Sequence, residues 1–224
     1  TAYILPEFDR MMEQPQNNQY HRYNVGVHSI EAVKNIRADV TMRWAALLHD
    51  IGKPSTHTVD ENGIDHFYDH QITGVPLAQE VLKRLKFDNN TIKDVCKLVR
   101  WHDFGMGCIP KKNKIRKLLG EVGMEFFPYI IEIKKADMAA QSDYKLEERQ
   151  NQLAALEKEY EEIAADEDCV RIKDLKVNGG DLIKLGIKPG PQMGDILQKM
   201  LDMVIEDPEK NDRDYLLEQV KNLS

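Results

Sequence analysis

The length, composition and charge of the chain restrict the classes of protein to which it can belong. The chain has 224 residues, of which 42% are hydrophobic and 31% are charged, and its formal net charge is −7. These values are ordinary for a helix-rich folded protein and exclude nucleic-acid binding through an overall positive charge. The apolar runs are too short to span a membrane, and the N-terminus lacks the features of a signal peptide. Three cysteines without CxxC spacing indicate a reducing cytoplasm.

Hydrophobic periodicity predicts an all-α fold with a small hairpin. Residues 1–23 contain two prolines and a polar run, which predict an irregular lead-in. Apolar residues at helical spacing predict helices over 28–37, 39–51, 74–86, 90–102, 112–121, 124–141, 145–164, 192–206 and 212–223. Alternating runs around Glu61-Asn62-Gly63 predict a hairpin within 55–68. Pro76 leaves the start of the helix after the hairpin open.

The order of these segments predicts three parts. They are a lead-in over 1–27, a helical domain over 28–168 and a C-terminal helical extension over 169–224. The highly charged helix at 145–164 connects the last two parts and carries leucines at helical spacing. A packed surface helix with ion pairs fits this pattern, and the alternative is a seam for a homodimer.

Six polar residues lie on the apolar faces of five predicted segments. His49 and Asp50 end the most apolar helix, in the sequence "VTMRWAALLHDIGKP", where a buried carboxylate needs a partner. The others share helical faces with aliphatic residues, namely His28, His70, His102 and Asp137. One such histidine is usually satisfied by an ordinary core hydrogen bond. The same feature on five segments favours convergence on a common cation.

Four imidazoles and two carboxylates form a nitrogen and oxygen ligand set. This set suits divalent manganese, nickel, cobalt, iron, magnesium or zinc, and it differs from a soft thiolate site. Six ligands are more than one ion needs if open positions remain, so two ions bridged by Asp50 would fit. Such a pair activates water and clamps the oxygens of a phosphoryl displacement. We therefore expect one or two divalent ions.

Two basic residues are candidates for stabilising a phosphate. Lys53 follows Asp50 after one short turn, and its amine could neutralise a phosphate oxygen or a leaving group. The alternative for Lys53 is a solvated lysine favoured by the helix dipole. Arg100 is a second candidate for steadying the phosphate. We predict that Asp50 and Lys53 are catalytic and that Lys53 and Arg100 bind substrate.

Three further residues are candidates for substrate binding. His66 lies close enough in sequence to His70 to contact a substrate, although a rim or surface position is the simpler interpretation. Lys111 and Lys112 begin a basic segment that could guide RNA phosphates. The alternative for this segment is a solvated helix face.

The ordered polar set resembles the HD superfamily of metal-dependent phosphohydrolases. That family has the pattern H…HD…H…H…D, which is matched in order by His28, His49-Asp50, His70, His102 and Asp137. The resemblance implies an HD-domain helical bundle in which His28, the doublet and Asp137 hold one metal. It also implies that His70 and His102, with Asp50 as a bridge, hold a second metal.

A narrower resemblance covers nearly the whole chain. The segments "ILPEFDRMMEQPQNNQYHRYNVGVH", "HDIGKPSTHTVDENGIDHFYDHQ" and "VNGGDLIKLGIKPGPQMGDILQKMLDMVIED" resemble the C-terminal part of bacterial CCA-adding tRNA nucleotidyltransferases. In those enzymes the last segment belongs to body and tail elements that hold tRNA. The catalytic head of those enzymes has no counterpart in this sequence. We therefore expect a fragment or a headless relative that does not add nucleotides.

Together the residues and the resemblances indicate a function. We expect an HD-type phosphohydrolase that acts on 2′,3′-cyclic phosphates, 2′-nucleotides or phosphate monoesters, with a nucleotide or RNA phosphate as substrate and tRNA as a partner. The alternative is a non-catalytic tRNA-binding module with a vestigial HD site.

Overall fold

The computed structural model describes residues 3–223, and this part of the chain is mostly helical. The helices are α1 (Pro6–Glu13), α2 (Val25–Lys34), α3 (Val40–Leu48), α4 (Lys53–Thr56), α5 (His70–Arg84), α6 (Asn89–Trp101), α7 (Lys112–Val122), α8 (Phe127–Ala140), α9 (Leu146–Ala165), α10 (Gly179–Lys184), α11 (Pro191–Glu206) and α12 (Arg213–Leu223). Strands β1 (Thr58–Val59) and β2 (Asp65–His66) pair antiparallel, with Thr58 opposite His66. The predicted all-α class and small hairpin are confirmed.

The chain divides into two compact units. One comprises Thr1–Cys108 with Phe126–Ala154, and the other comprises Ile109–Glu125 with Ala155–Ser224. Helix α9 contributes residues to both units. The functional division into 1–27, 28–168 and 169–224 stays a prediction, as does the homodimer seam on α9.

In the first unit, α3 is surrounded by other helices. It packs against α2, α6 and α8, while α5 packs against α4 and α6. Asp39 caps α3 by accepting a hydrogen bond from the Met42 amide at 2.9 Å, which fixes where the helix begins. Because α3 is covered on several sides, its C-terminal end lies in the core, with Leu48 fully buried. The helix ends three residues earlier than predicted, so His49 and Asp50 lie in the turn that follows it.

The prediction of an irregular lead-in over 1–23 is wrong for α1. Pro6 occupies the first turn of this helix, where the missing amide hydrogen costs no intrahelical bond. Phe8 and Met11 are buried, so the helix has an apolar face that the core covers. The proline therefore marks the start of a helix, although prolines in a polar segment predict irregular structure.

The predicted helix at 74–86 begins four residues earlier, at His70. Pro76 lies inside α5, although an internal proline costs about 3 kcal/mol in an isolated helix. Burial of Ala78, Val81 and Leu82 holds α5 in place despite this cost. Gly74 allows close packing, because a Cβ there would lie 3.2 Å from the Val99 side chain. Tertiary packing thus places His70 at the start of a helix.

The second unit has its own helical core. Helix α11 packs against α7, α10 and α12, and the buried residues include Val177, Leu182, Ile196, Met200, Val204, Leu216 and Val220. The predicted C-terminal helices correspond to α11 and α12. Across residues 3–223, no helix combines the length and the apolar character that crossing a bilayer requires.

Candidate metal centre

The six polar residues that the sequence analysis selected lie together in the first unit. His28 projects from α2 and Asp137 from α8, whereas the other four lie at helix ends. His49 and Asp50 follow the last residue of α3, His70 is the first residue of α5, and His102 follows the last residue of α6. Each of the six is at most 7% exposed.

Four of these side chains form one group around the Asp50 oxygen Oδ2. The Nε2 atoms of His28 and His49 lie 3.2 Å apart. Asp50 Oδ2 lies 3.5 Å from His28 Nε2 and 3.2 Å from His49 Nε2. Asp137 Oδ1 lies 2.9 Å from His28 Nε2 and 3.7 Å from His49 Nε2. Two imidazoles and two carboxylates therefore converge here, which is a donor set that divalent metals accept.

The other oxygen of Asp50 belongs to a second group. Asp50 Oδ1 lies 3.2 Å from His70 Nε2 and 3.7 Å from His102 Nε2. The two Nε2 atoms of this group are also 3.2 Å apart. His28, His49 and Asp50 form one set with the spacing that could hold a metal ion, and Asp50, His70 and His102 form another. Asp50 is thus shared between two potential ion sites.

The hydrogen bonds of the rings direct their Nε2 atoms inward. His49, His70 and His102 each place Nδ1 2.8 Å from the backbone carbonyl three residues earlier, on Ala46, Phe67 and Val99 respectively. Ala46 and Val99 lie in the last turns of α3 and α6, where carbonyls lack an intrahelical donor. Nδ1 of His28 lies 3.4 Å from the Ala140 carbonyl.

These hydrogen bonds favour the tautomer with hydrogen on Nδ1 and a lone pair on Nε2. Neutral rings of this kind would place two Nε2 lone pairs 3.2 Å apart in each group. Opposed lone pairs repel unless a proton or a cation lies between them. The residues therefore fit a cation on each side of Asp50.

The electrostatic environment is that of a cation site. Burial opposes protonation of His49, but Asp50 and Asp137 outweigh it and raise the His49 pKa to about 10. Burial also opposes ionisation of Asp50, yet His49 and Lys53 hold the Asp50 pKa well below its ordinary value. Asp50 Oδ2 is fully buried and accepts no well-aligned hydrogen bond from the described residues. A divalent ion would compete with protons for this negative potential.

Lys53 is a buried part of the same cluster. Its ammonium lies 2.8 Å from Asp50 Oδ2 and donates a 2.7 Å hydrogen bond to Gln16 Oε1. The ammonium also lies 5.3 Å from the centre of the Phe67 ring. Since the Lys53 side chain is only 7% exposed, the alternative of a solvated lysine is wrong. The catalytic role of Lys53 stays a prediction.

Two charged residues near the second group, Asp103 and Lys134, were not among the predicted site residues. Asp103 places one carboxylate oxygen 3.3 Å from His70 Nε2 and the other 3.3 Å from His102 Nε2. Lys134 donates a 3.1 Å hydrogen bond to the His102 carbonyl, and burial lowers its pKa. Asp103 follows His102 directly in the sequence. This His-Asp doublet repeats the pattern of His49-Asp50 and could have indicated that Asp103 lies near the site.

The lead-in and the end of α8 also contribute to the first group. The His21 ring meets the His28 ring edge-on, with centroids 5.0 Å apart. Burial and the nearby Lys53 lower the His21 pKa to about 2, so this imidazole is neutral. Gln141 donates to Asp137 at 3.1 Å. Gln141 follows Asp137 by four residues, which is one helical turn, so its contact was within reach of a spacing argument, whereas His21 lies in a segment without periodicity.

The remaining candidates for substrate binding have other neighbours. His66 Nε2 pairs with Asp60 Oδ2 at 3.0 Å on the hairpin. The Arg100 guanidinium lies 4.5 Å from the centre of the Trp101 ring. Lys111 and Lys112 belong to the second unit, where the Lys112 ammonium lies 2.6 Å from Glu162 Oε2. Substrate binding by His66, Arg100, Lys111 and Lys112 stays a prediction.

Comparison with known families identifies the chain. A family model described as "tRNA nucleotidyltransferase domain 2 putative" matches residues 71–220, which is more than half of the chain. The chain belongs to this tRNA nucleotidyltransferase family. The match includes His102 and Asp137 and begins just after His70. His28, His49, Asp50 and His70 lie outside the matched residues, so their geometry is evidence for a metal site that does not depend on the match.

Curated relatives of this tRNA nucleotidyltransferase domain are longer proteins. The A-adding tRNA nucleotidyltransferase of Deinococcus radiodurans is 28% identical over 192 residues, which are 82% of this chain and 43% of that protein. The multifunctional CCA protein of Actinobacillus pleuropneumoniae serotype 5b is 36% identical over 106 residues, 44% of this chain and 25% of that protein. That of Janthinobacterium sp. strain Marseille is 41% identical over 91 residues, 39% of this chain and 21% of that protein. The chain spans less than half the length of these relatives.

Proposed function

We propose that the chain carries a metal-dependent phosphohydrolase centre of the HD type. The observation that carries this proposal is the pair of 3.2 Å Nε2 contacts on either side of Asp50. Separate core histidines would each have a neighbour of their own for Nε2, whereas the Nε2 atoms of each pair face one another and share an oxygen of Asp50. Metal ligation explains both contacts and also explains why both oxygens of one buried carboxylate face imidazole nitrogens.

The donor set supports one or two divalent ions, namely manganese, nickel, cobalt, iron, magnesium or zinc. His28, His49, Asp50 and Asp137 would hold one ion, and His70, His102 and Asp50 would hold the second. When bound, such ions lower the pKa of a coordinated water and neutralise phosphate oxygens. Asp103, which is 21% exposed, would contribute at the rim of the second site.

The residues of the chain supply positioning and charge. Hydrolysis forms a bond between water oxygen and phosphorus, breaks the ester P–O bond and leaves a proton on the departing oxygen. Lys53 has three N–H donors, of which one contacts Gln16 and one faces Asp50. We assign the third donor to a phosphate oxygen of the substrate, where a buried ammonium stabilises negative charge effectively. Lys53 also holds the Asp50 carboxylate in place.

The substrate class follows from the resemblance and from the relatives. The HD resemblance implies 2′,3′-cyclic phosphates, 2′-nucleotides or phosphate monoesters. The names of the relatives concern tRNA and its CCA end, so we propose a nucleotide or an RNA terminal phosphate as substrate and tRNA as a partner. Free Cys96, Cys108 and Cys169 are compatible with the cytoplasm, where we place this function.

A metal-dependent assay tests the proposal. Protein stripped with EDTA is supplied with Mn²⁺, Ni²⁺ or Co²⁺ and incubated with 2′,3′-cyclic AMP or 2′-AMP. We expect turnover that Asp50→Ala abolishes and that the matched surface variant Asp202→Ala retains, since Asp202 is exposed on α11. No turnover with any metal, or full turnover in Asp50→Ala, would reject the hydrolase.

A non-catalytic tRNA-binding module is the second candidate. The family match favours it, because residues 71–220 include all of α7, α10 and α11 but omit four of the six proposed ligands. Filter-binding titration with tRNA separates the candidates. Tight, salt-sensitive binding without hydrolysis would favour the module. Weak binding with metal-dependent turnover would favour the enzyme.

A further inference from the structure

We propose that His66 and Tyr68 form a base-stacking platform that makes the metal centre selective for nucleotides over simple phosphate esters. This inference rests on the proposed function and names the residues that would recognise its substrate. Tyr68 is 70% exposed, although it lies only two residues before His70. Its ring is parallel to the His66 ring, with an interplanar angle of 7° and centroids 5.3 Å apart. One tyrosine face is therefore backed by an imidazole.

The platform is held in place by the hairpin. His66 Nε2 pairs with Asp60 Oδ2 at 3.0 Å, and His66 Nδ1 lies 3.4 Å from the Tyr68 hydroxyl. Both ring nitrogens of His66 thus have partners, which holds the imidazole against the tyrosine ring. We therefore assign His66 to supporting Tyr68 and not to binding phosphate. A ring held before the ligand arrives loses little conformational entropy on binding.

The base of the hairpin is anchored to neighbouring segments. Asp65 Oδ1 lies 2.7 Å from His57 Nε2, and Asp65 Oδ2 accepts a 2.6 Å hydrogen bond from the Asn17 amide. The His57 ring stacks on Phe67 with centroids 5.4 Å apart. These contacts fix the strand that carries His66 relative to the residues that follow it.

Phe67 connects the platform to the metal centre. Its carbonyl oxygen lies 2.8 Å from His70 Nδ1, and its ring lies 5.3 Å from the Lys53 ammonium. Asp69, between exposed Tyr68 and buried His70, has a left-handed backbone with φ of 58°. The Cα atoms of residues two apart in the chain are separated by at most about 7 Å. We therefore place the base of a nucleotide on the platform and its phosphate at the centre.

Stacking is the interaction that such a platform offers. Removing an aromatic ring that stacks on a base weakens single-strand binding by about fivefold to one hundredfold, and the effect depends little on the base. We expect the lower end of this range, because only one face of the solvent-exposed Tyr68 ring is available. The platform would discriminate a nucleotide from an ester that lacks a base, and it would not discriminate strongly among bases.

The test compares Tyr68→Leu with the ring-retaining variant Tyr68→Phe and with the matched control Tyr3→Leu, since Tyr3 is fully exposed. Calorimetric titration of metal-free protein with 2′-AMP measures base binding without turnover. Manganese-loaded protein then provides KM values for 2′-AMP and for p-nitrophenyl phosphate. We expect Tyr68→Leu to raise the Kd and the KM for 2′-AMP by about fivefold to tenfold. The KM for p-nitrophenyl phosphate should stay within twofold, and Tyr3→Leu should resemble the wild type. Tyr68→Phe loses the hydroxyl contact with His66 but keeps the ring, so it should bind 2′-AMP more tightly than Tyr68→Leu.

Two results would overturn the platform. One is an absence of 2′-AMP binding by the wild type, or an equal Kd in Tyr68→Leu. The other is an equal rise of KM for both substrates, which would indicate a general effect on the centre. Failure of the hydrolase proposal gives a different result. Turnover of both substrates would then be absent in every variant, while Tyr68→Leu would still bind 2′-AMP more weakly than the wild type.

Discussion

The packing of Gly52 against the start of α5 makes the proposed metal centre sensitive to a single methyl group. A Cβ on residue 52 would overlap the His70 carbonyl oxygen and lie 2.8 Å from the Gly74 amide nitrogen. Gly52 has an ordinary helical backbone, with φ of −78° and ψ of −19°, so alanine there meets a steric obstacle and no backbone strain. Since ordinary Cβ contacts begin near 3.4 Å, Gly52→Ala forces the two backbones apart by on the order of 1 Å.

This displacement has two measurable consequences. Overpacking of this kind costs about 1–3 kcal/mol of unfolding free energy. It also moves His70 away from Asp50 Oδ1, which lies 3.2 Å from His70 Nε2. We expect the affinity for a second divalent ion to fall on the order of tenfold, by analogy with the loss of residues that orient metal ligands.

Urea denaturation and manganese titration of Gly52→Ala check both effects. The matched control is Gly194→Ala on α11, where a Cβ would meet no atom within 4 Å. The control should stabilise the protein by about 0.5–1 kcal/mol, because alanine favours a helix over glycine. If Gly52→Ala proves as stable as the wild type and binds manganese with unchanged affinity, the inferred close packing is wrong.

Three other perturbations test separate contacts of the first unit. Lys53→Met leaves Asp50 without its ammonium partner, so the free energy of unfolding of the metal-free protein, measured by urea denaturation, should fall by about 3–5 kcal/mol. In the matched control Lys158→Met, where the lysine side chain is 77% exposed, the free energy of unfolding should change by less than about 0.5 kcal/mol. Asp103→Asn should weaken the second manganese step in calorimetry and leave the first unchanged, and equal weakening of both steps would contradict its assignment. Burial opposes ionisation of Asp65, but hydrogen bonds from His57 and the Asn17 amide outweigh it and lower the Asp65 pKa. The ionised carboxylate therefore contributes to stability above the ordinary pKa of 3.8, and this contribution is lost as the pH falls through the lowered pKa. Protection against hydrogen exchange at the hairpin, corrected for the intrinsic exchange rate at each pH, should fall over that range in the wild type, whereas in Asp65→Asn it should be low throughout.

The sequence predicted the clustering of the six polar residues because helical periodicity identifies inward faces. His28, His102 and Asp137 share faces with aliphatic residues, and a buried polar group on such a face needs a partner. The convergence of His49 and Asp50 with them follows from the many neighbours of α3, which its apolar sequence indicated. Even the orientation of His49 and His102 is local, since each ring contacts a carbonyl in the helix turn before it.

Contacts made by the segment between α1 and α2 could not be predicted from the same patterns. Gln16 contacts Lys53, 37 residues away, and His21 meets His28, but neither Gln16 nor His21 lies in a segment with helical periodicity. The burial of Lys53 depends on Gln16 and Phe67, which no spacing rule connects to it. Pro6 made the prediction for α1 wrong and Pro76 left the start of α5 open for a different reason, because tertiary packing and the position within a helix decide what a proline does.

Anomalous diffraction from crystals soaked in manganese tests the central claim most directly. We expect one peak among His28, His49, Asp50 and Asp137, and a second peak among Asp50, His70 and His102 at sufficient metal concentration. Difference maps that lack both peaks, with each imidazole Nε2 hydrogen-bonded to its own water or side chain, would contradict metal ligation by these residues.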